Sequence, residues 1–132
     1  MWDSLNSINK VRNLEKSEQN KILKEKSIKE LLLFFMEETY LNETIKIPSN
    51  KIRILQQDSK FKKFRIIDKE YSIEIDLEKK LIKHDCKFWI YQCSSQYKLC
   101  KHLGKIFLAI FEDDSKEILK DIILNDWKFE IY

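Results

Sequence analysis

The chain holds only two histidines and three cysteines, and four of those five residues fall in two tripeptides. They read His84-Asp85-Cys86 and Cys100-Lys101-His102, mirror images in donor order, separated by thirteen residues. No other feature constrains the fold as much. A thiolate and an imidazole two positions apart can chelate from a tight turn or an extended segment. A second such pair then closes the intervening loop over the ion. Four nitrogen and sulfur donors are what a tetrahedral structural Zn²⁺ takes, and a set supplied wholly by protein leaves no position for substrate. The pattern therefore predicts one structural Zn²⁺ on His84, Cys86, Cys100 and His102. The alternative, a pair of buried thiols and two unrelated histidines, requires this mirrored spacing to arise by chance. Cys93, midway along the loop, could replace His84 to give three cysteines and one histidine. The matched pairs favour His84 and leave Cys93 as a small buried apolar residue.

At 132 residues the chain has the size of one domain, or of a small domain with a helical arm. Charged residues make up 36% of it, yet the net charge is only +3, too balanced to imply a nucleic-acid partner by itself. With one glycine and one proline there is no long flexible linker. An odd number of cysteines does not suggest a secreted disulfide framework. No apolar run reaches the length of a membrane span and the first residues carry no signal-peptide pattern, so a cytoplasmic setting and no membrane partner are expected. Abundant Lys, Glu and Ile point towards a thermophile of archaeal type, and the asparagines and glutamines point against it.

Leu5, Ile8, Val11 and Leu14 have helical spacing, which predicts a helix over residues 3–25 that is exposed in its polar middle or broken near Ser17. Ser27-Ile28-Lys29-Glu30 is a capping-box pattern. It predicts a second, well-buried helix through the apolar run 31–36 to about Asn42. Pro48-Ser49-Asn50 breaks the chain. Strands are then predicted at Ile52–Ile54, Phe61–Ile67 and Tyr71–Leu77, with Leu81-Ile82-Lys83 leading into the first ligands, an antiparallel meander of three or four strands. A helix follows His102 on Leu103, Ile106, Phe107 and Ile110, with Gly104 expected to admit the metal loop. Asp114-Ser115-Lys116-Glu117 reads as the cap of a last helix. Trp127, Phe129 and Ile131 alternate as a short strand that closes the sheet edge or offers itself to a partner.

Charge is unevenly placed. Over 46–65, Lys46, Lys51, Arg53, Lys60, Lys62, Lys63 and Arg65 stand against Asp58 alone. Over 80–105, Lys80, Lys83, Lys87, Lys98, Lys101 and Lys105 stand against Asp85, whereas 106–132 is acidic. Phe61, Phe64, Phe88, Trp89, Tyr91 and Tyr97 are interleaved with these cations. Basic side chains with stacking aromatics suit single-stranded nucleic acid. The same residues equally describe a small core with a solvated basic face. On the first reading Arg53, Lys63, Arg65 and Lys101 form one nucleic-acid-binding face.

Residues 61–111 resemble a SWIM zinc finger, whose pattern is C-x-C, a variable gap and C-x-H. The strand Tyr71–Leu77, the pairs His84/Cys86 and Cys100/His102, and the apolar helix after Cys100-Lys101-His102 carry the resemblance. His84 stands where the family has its first cysteine. The resemblance and the elements predicted on either side of it together imply an α+β fold: a small antiparallel β-meander with a SWIM-type zinc site leading into a C-terminal helix, preceded by N-terminal helices. The expected divisions are 1–45, 46–111 and 112–132. It also implies a non-enzymatic accessory protein that binds DNA or a protein partner, as stand-alone members do beside RecA-type recombinase paralogues. A different class, an RNA- or ribosome-associated structural protein, and a pure protein adaptor are the rival expectations. Enzymatic readings fare poorly. Both histidines are committed to metal, and a single glycine cannot form a phosphate loop.

Overall fold

A computed structural model describes residues 4–132, so the expected helix start at residue 3 lies outside the described residues. Among the described residues, seven α-helices and a five-stranded mixed sheet make an α+β fold. Helix α1, Ser4–Arg12, buries Ile8 and Val11. Of the two expected outcomes for the first helix, the break occurs, but at residues 13–15 rather than near Ser17. There the Gln19 amide donates to the carbonyls of Val11 and Arg12 at 3.2 and 3.1 Å and closes the end of α1. Helix α2, Lys16–Lys24, buries only Leu23.

The capping box forms. Glu30 N–H donates to Ser27 Oγ, and Ser27 N–H donates to the Glu30 carboxylate. The long helix expected behind it does not. Helix α3 spans only Ile28–Leu32, and α4, Glu38–Ile45, starts after a turn. A straight helix through six consecutive apolar residues would present them on every side. The turn instead puts Leu31, Leu32, Phe35 and Met36 in the core and leaves Leu33 outside. It also frees the Phe35 carbonyl, which accepts from Leu99 N–H at 3.2 Å.

After a 3₁₀ turn at Ser49–Lys51, strands β1 (Ile52–Gln57), β2 (Phe61–Ile66), β3 (Tyr71–Asp76) and β4 (Leu81–His84) form the antiparallel meander in chain order. Strand β5, Lys128–Ile131, completes the sheet beside β4, in parallel. Strand alternation puts Phe64, Ile73, Ile75, Ile82 and His84 on the covered face, and Lys63, Arg65, Glu74 and Lys83 on the other. Lys62 falls on the covered face. It is 3% exposed, donates to the Asp58 carbonyl at 2.8 Å and lies 3.9 Å from the Asp114 carboxylate.

Between the ligand pairs the chain makes a π-helical turn, Trp89–Cys93, and one α-turn, α5, Ser94–Gln96. Helices α6, Lys101–Ala109, and α7, Glu112–Leu124, follow. Helix α7 starts at Glu112, and Ser115 is not its cap: its buried hydroxyl donates to the Phe107 carbonyl at 2.6 Å and closes the end of α6. Gly104 does not face the metal loop. A Cβ there would stand 2.8 Å from Met36 Cε and 3.0 Å from Thr44 Cγ2, so the missing side chain lets α6 close on α4. The core is one cluster that draws on α1, the meander and α7 alike. Among the described residues no helix is long and apolar enough to cross a membrane.

Gly104→Leu should overpack this contact and cost about 1–3 kcal/mol in urea unfolding. An unchanged midpoint would mean that α4 is not held against α6 as described.

Candidate metal centre

Strand β4 delivers the first ligand. His84 is its last residue, fully buried, and pairs with Ile73 in the ladder. Its Nδ1 lies 2.7 Å from the Ser72 carbonyl. A carbonyl only accepts, so Nδ1 carries the proton and Nε2 presents its lone pair to the centre. Such an outer hydrogen bond fixes the tautomer and ring orientation of a metal-binding histidine. The Ser72 N–H donates to Asp85 Oδ1 at 2.8 Å, so the residue between the first two ligands clamps the same strand position from the other side. Cys86 follows and accepts from the Trp89 N–H at 3.3 Å.

The second pair opens α6. Cys100 is its N-cap and is fully buried, and His102 lies in the first turn. Lys101 between them is exposed, and its N–H donates to the Tyr40 hydroxyl of α4 at 2.9 Å. One ligand atom from each of His84, Cys86, Cys100 and His102 falls in a group whose members all lie within 4.8 Å of one another. Cys93 is outside the group. Burial raises its thiol to about 12, with the nearby Cys86 charge adding to the effect and Lys98 opposing it.

The spacing fits a tetrahedral ion. Nitrogen bonds of about 2.0–2.1 Å set two nitrogen ligands roughly 3.3–3.4 Å apart. His84 Nε2 and His102 Nδ1 are 3.4 Å apart, and Cys100 Sγ stands 3.9 Å from His102 Nδ1. The protonation of the sulfurs tells the same story. A hydrogen bond from the Cys100 thiol, outweighing burial, with the neighbouring imidazoles of His102 and His84 adding to it, pushes the Cys86 thiol far down. Burial, then the neighbouring Cys86, pushes Cys100 up. Without a cation the two sulfurs cannot both carry charge in this buried spot, whereas a dication lets both ionise. The group can therefore hold a metal ion.

The imidazoles sit in an aromatic frame. Tyr71 lies 6.0 Å from the His84 ring and 5.4 Å from the His102 ring, with Trp89 5.9 Å from His84. Trp89 stacks on Phe129 of β5, and Phe129 on Tyr97 at 4.5 Å. Asp85, the Trp89 amide and Tyr40 are supporting groups that the ligand pattern does not announce. Only Asp85, placed between two ligands, carries a local signal.

The four expected nucleic-acid contacts separate. Arg53 and Arg65 face each other across β1 and β2, and Lys63 shares their side of the sheet. That side is opposite His84 and the core. Lys101 stands among the helices instead. Lys63 lies 3.6 Å from Glu74, while Lys51 and Lys60 pair with Asp68 and Glu78. Arg53 and Arg65 have no acidic partner at salt-bridge distance among the described residues.

No protein-family model, curated protein or solved structure matches this chain.

Cys86→Ser, Cys100→Ser and His84→Ala should each remove most of the bound metal from purified protein, while Cys93→Ala should leave about one ion per chain, measured by elemental analysis. Loss of metal in Cys93→Ala with retention in His84→Ala would exchange the two residues' roles.

Proposed function

We propose that the chain is a SWIM-type accessory module, without catalytic activity of its own, that binds one structural Zn²⁺ and uses the resulting fold to bind nucleic acid, DNA in preference to RNA, beside a protein partner. The observation that carries this reading is the convergence of four nitrogen and sulfur donors on one buried point. A Cys₂His₂ set suits Zn²⁺ over the oxygen-preferring cations, and protein donors fill all its tetrahedral positions. When bound, the ion contributes folding free energy directly by joining the end of β4 to the start of α6.

The nucleic-acid part rests on the open face of the sheet. Arg53 and Arg65 are adjacent there without acidic partners among the described residues, a like-charge pair that costs stability unless an anion bridges it. Phosphate contacts from such a face are strongly salt-dependent and largely independent of sequence. By the SWIM resemblance the protein partner is a RecA-type recombinase paralogue, and by the RNA alternative a ribosomal particle. One further observation favours the pure adaptor reading. Strand β1 is an unpaired edge that leaves Ile54 and Leu55 about half exposed. An edge of this kind can take an added strand.

Chelation of the metal should lower the melting temperature by well over ten degrees, since structural zinc supplies about 10–16 kcal/mol in small zinc peptides. Fluorescence anisotropy across a salt series tests the open face. Arg53→Glu with Arg65→Glu should weaken binding of labelled DNA at least tenfold without loss of zinc. Absence of binding at low salt would favour the adaptor.

A further inference from the structure

A cavity of about 220 Å³ opens beside the metal loop. Its floor is apolar, made by the buried Phe35, Met36 and Leu99. Two aromatic rings form its wall, Tyr40 from α4 and Phe88 from the loop, with centroids 5.2 Å apart and planes tilted by 39°. Its rim is polar. Glu37 supplies a carboxylate, Gln92 an amide and Lys98 an ammonium. We propose that this cavity receives one unpaired nucleobase of a single-stranded nucleic acid, which specifies the ligand class of the nucleic-acid reading above and rests on it.

Each layer of the cavity matches a part of a nucleotide. A base is a flat ring that stacks on an aromatic face, and such stacking is largely indifferent to sequence. The edge of the ring carries donors and acceptors, which the Gln92 amide and the Glu37 carboxylate can meet. The attached phosphate is an anion, and Lys98 stands at the rim, with the exposed Lys87 and Lys101 elsewhere on the loop and at its end. Inside a duplex both faces of a base are stacked and its pairing edge is used, so only an unpaired or extruded base can enter. Tyr91, next to Gln92 on the π-helical turn, is 76% exposed and offers a second face to a neighbouring base.

The cavity is also tied to the metal centre. Phe88, Gln92, Lys98 and Leu99 all lie between Cys86 and Cys100, and Leu99 N–H holds the loop to the Phe35 carbonyl. An ion on the four ligands therefore holds the wall and rim in place. π-Turns of this kind recur at functional sites.

The test uses the zinc-loaded full chain and two fluorescein-labelled strands of about ten nucleotides, within the usual site sizes for single strands. One is a mixed-sequence oligodeoxynucleotide and the other the same sugar–phosphate chain without bases. The base-bearing strand should bind roughly tenfold tighter by anisotropy, the gain of one or two stacked bases. Phe88→Leu keeps the volume but removes the π-face, and Gln92→Ala removes the exposed rim amide. Phe88→Leu should erase most of that difference and Gln92→Ala should lower it by about threefold, the loss of one hydrogen bond to the base edge, with abasic binding unchanged in both. Should Phe88→Leu lose its zinc, the exposed Gln92→Ala decides alone. Equal affinity for the two strands overturns the cavity proposal while leaving phosphate binding at the sheet intact. An undiminished difference in Gln92→Ala and in zinc-loaded Phe88→Leu also overturns it, and assigns the cavity to a side chain of a protein partner. Failure of both strands to bind at low salt overturns this proposal together with the nucleic-acid reading.

Discussion

Everything in this fold answers to one requirement: the end of β4 must meet the start of α6. His84 cannot turn away, because its ring is held by the Ser72 carbonyl, and Cys100 cannot, because it caps a helix whose next residue is tied to Tyr40. The thirteen residues between the ligand pairs must return to within ligand distance of where they left. They do so through a π-helical turn and a left-handed Tyr97 at φ 56°. That conformation is costly for a residue with a side chain. Tertiary contacts hold it. The Tyr97 ring stacks on Phe129, its hydroxyl donates to the Ile122 carbonyl at 2.7 Å, and the Arg12 guanidinium lies over the ring. Arg12 in turn reaches the carbonyls at the end of α7 and the Asp126 carboxylate. A chain of contacts thus runs from the ligand cluster to the first helix.

How much of this the sequence displays depends on the range of the interaction. The convergence of His84, Cys86, Cys100 and His102 is legible because such donors are rare residues here and their spacing is local. The meander was legible because period-two alternation in Phe61–Ile66 and Tyr71–Asp76 is a property of neighbouring residues, and the capping box because Ser27 and Glu30 are three apart. What failed was decided at a distance. The run 31–36 has every local mark of a helix, and α3 is cut short because the core takes only part of its girth. Ser115 looks like a cap and is one, but for the preceding helix. Gly104 marks a close approach, as its bare backbone suggests, but to a different neighbour, since nothing local says that Met36 and Thr44 lie opposite. The placement of β5 was open for the same reason.

Charge read in windows along the chain overstates charge in space. The segment 46–65 holds seven cations against one acid, yet Lys51, Lys60, Lys62 and Lys63 find Asp68, Glu78, Asp114 and Glu74, all from later segments. What remains is a small patch around Arg53 and Arg65 rather than a broad basic surface. The same folding removes Lys101 from that patch and sets it beside Tyr40. The cationic signal is therefore divided between an open sheet face and the rim of the metal loop.

The parallel pairing of β5 with β4 bears on the order in which the molecule assembles. The four meander strands are joined by short turns, so their pairing closes small loops and can come early. Strand β5 reaches β4 only after the metal loop, α6 and α7 have been laid down between them. Trp89 donates to the Glu130 carbonyl at 2.9 Å, so the strand docks onto the loop as well as onto the sheet. Until then the β4 edge stands open, with its backbone groups unpaired and His84 beside it. A partly folded chain thus exposes, in the same interval, a strand edge able to pair with another copy and a ligand set not yet enclosed. With the proposed ion, early capture would shorten that interval, and metal supply would then bear on folding yield as well as on final stability.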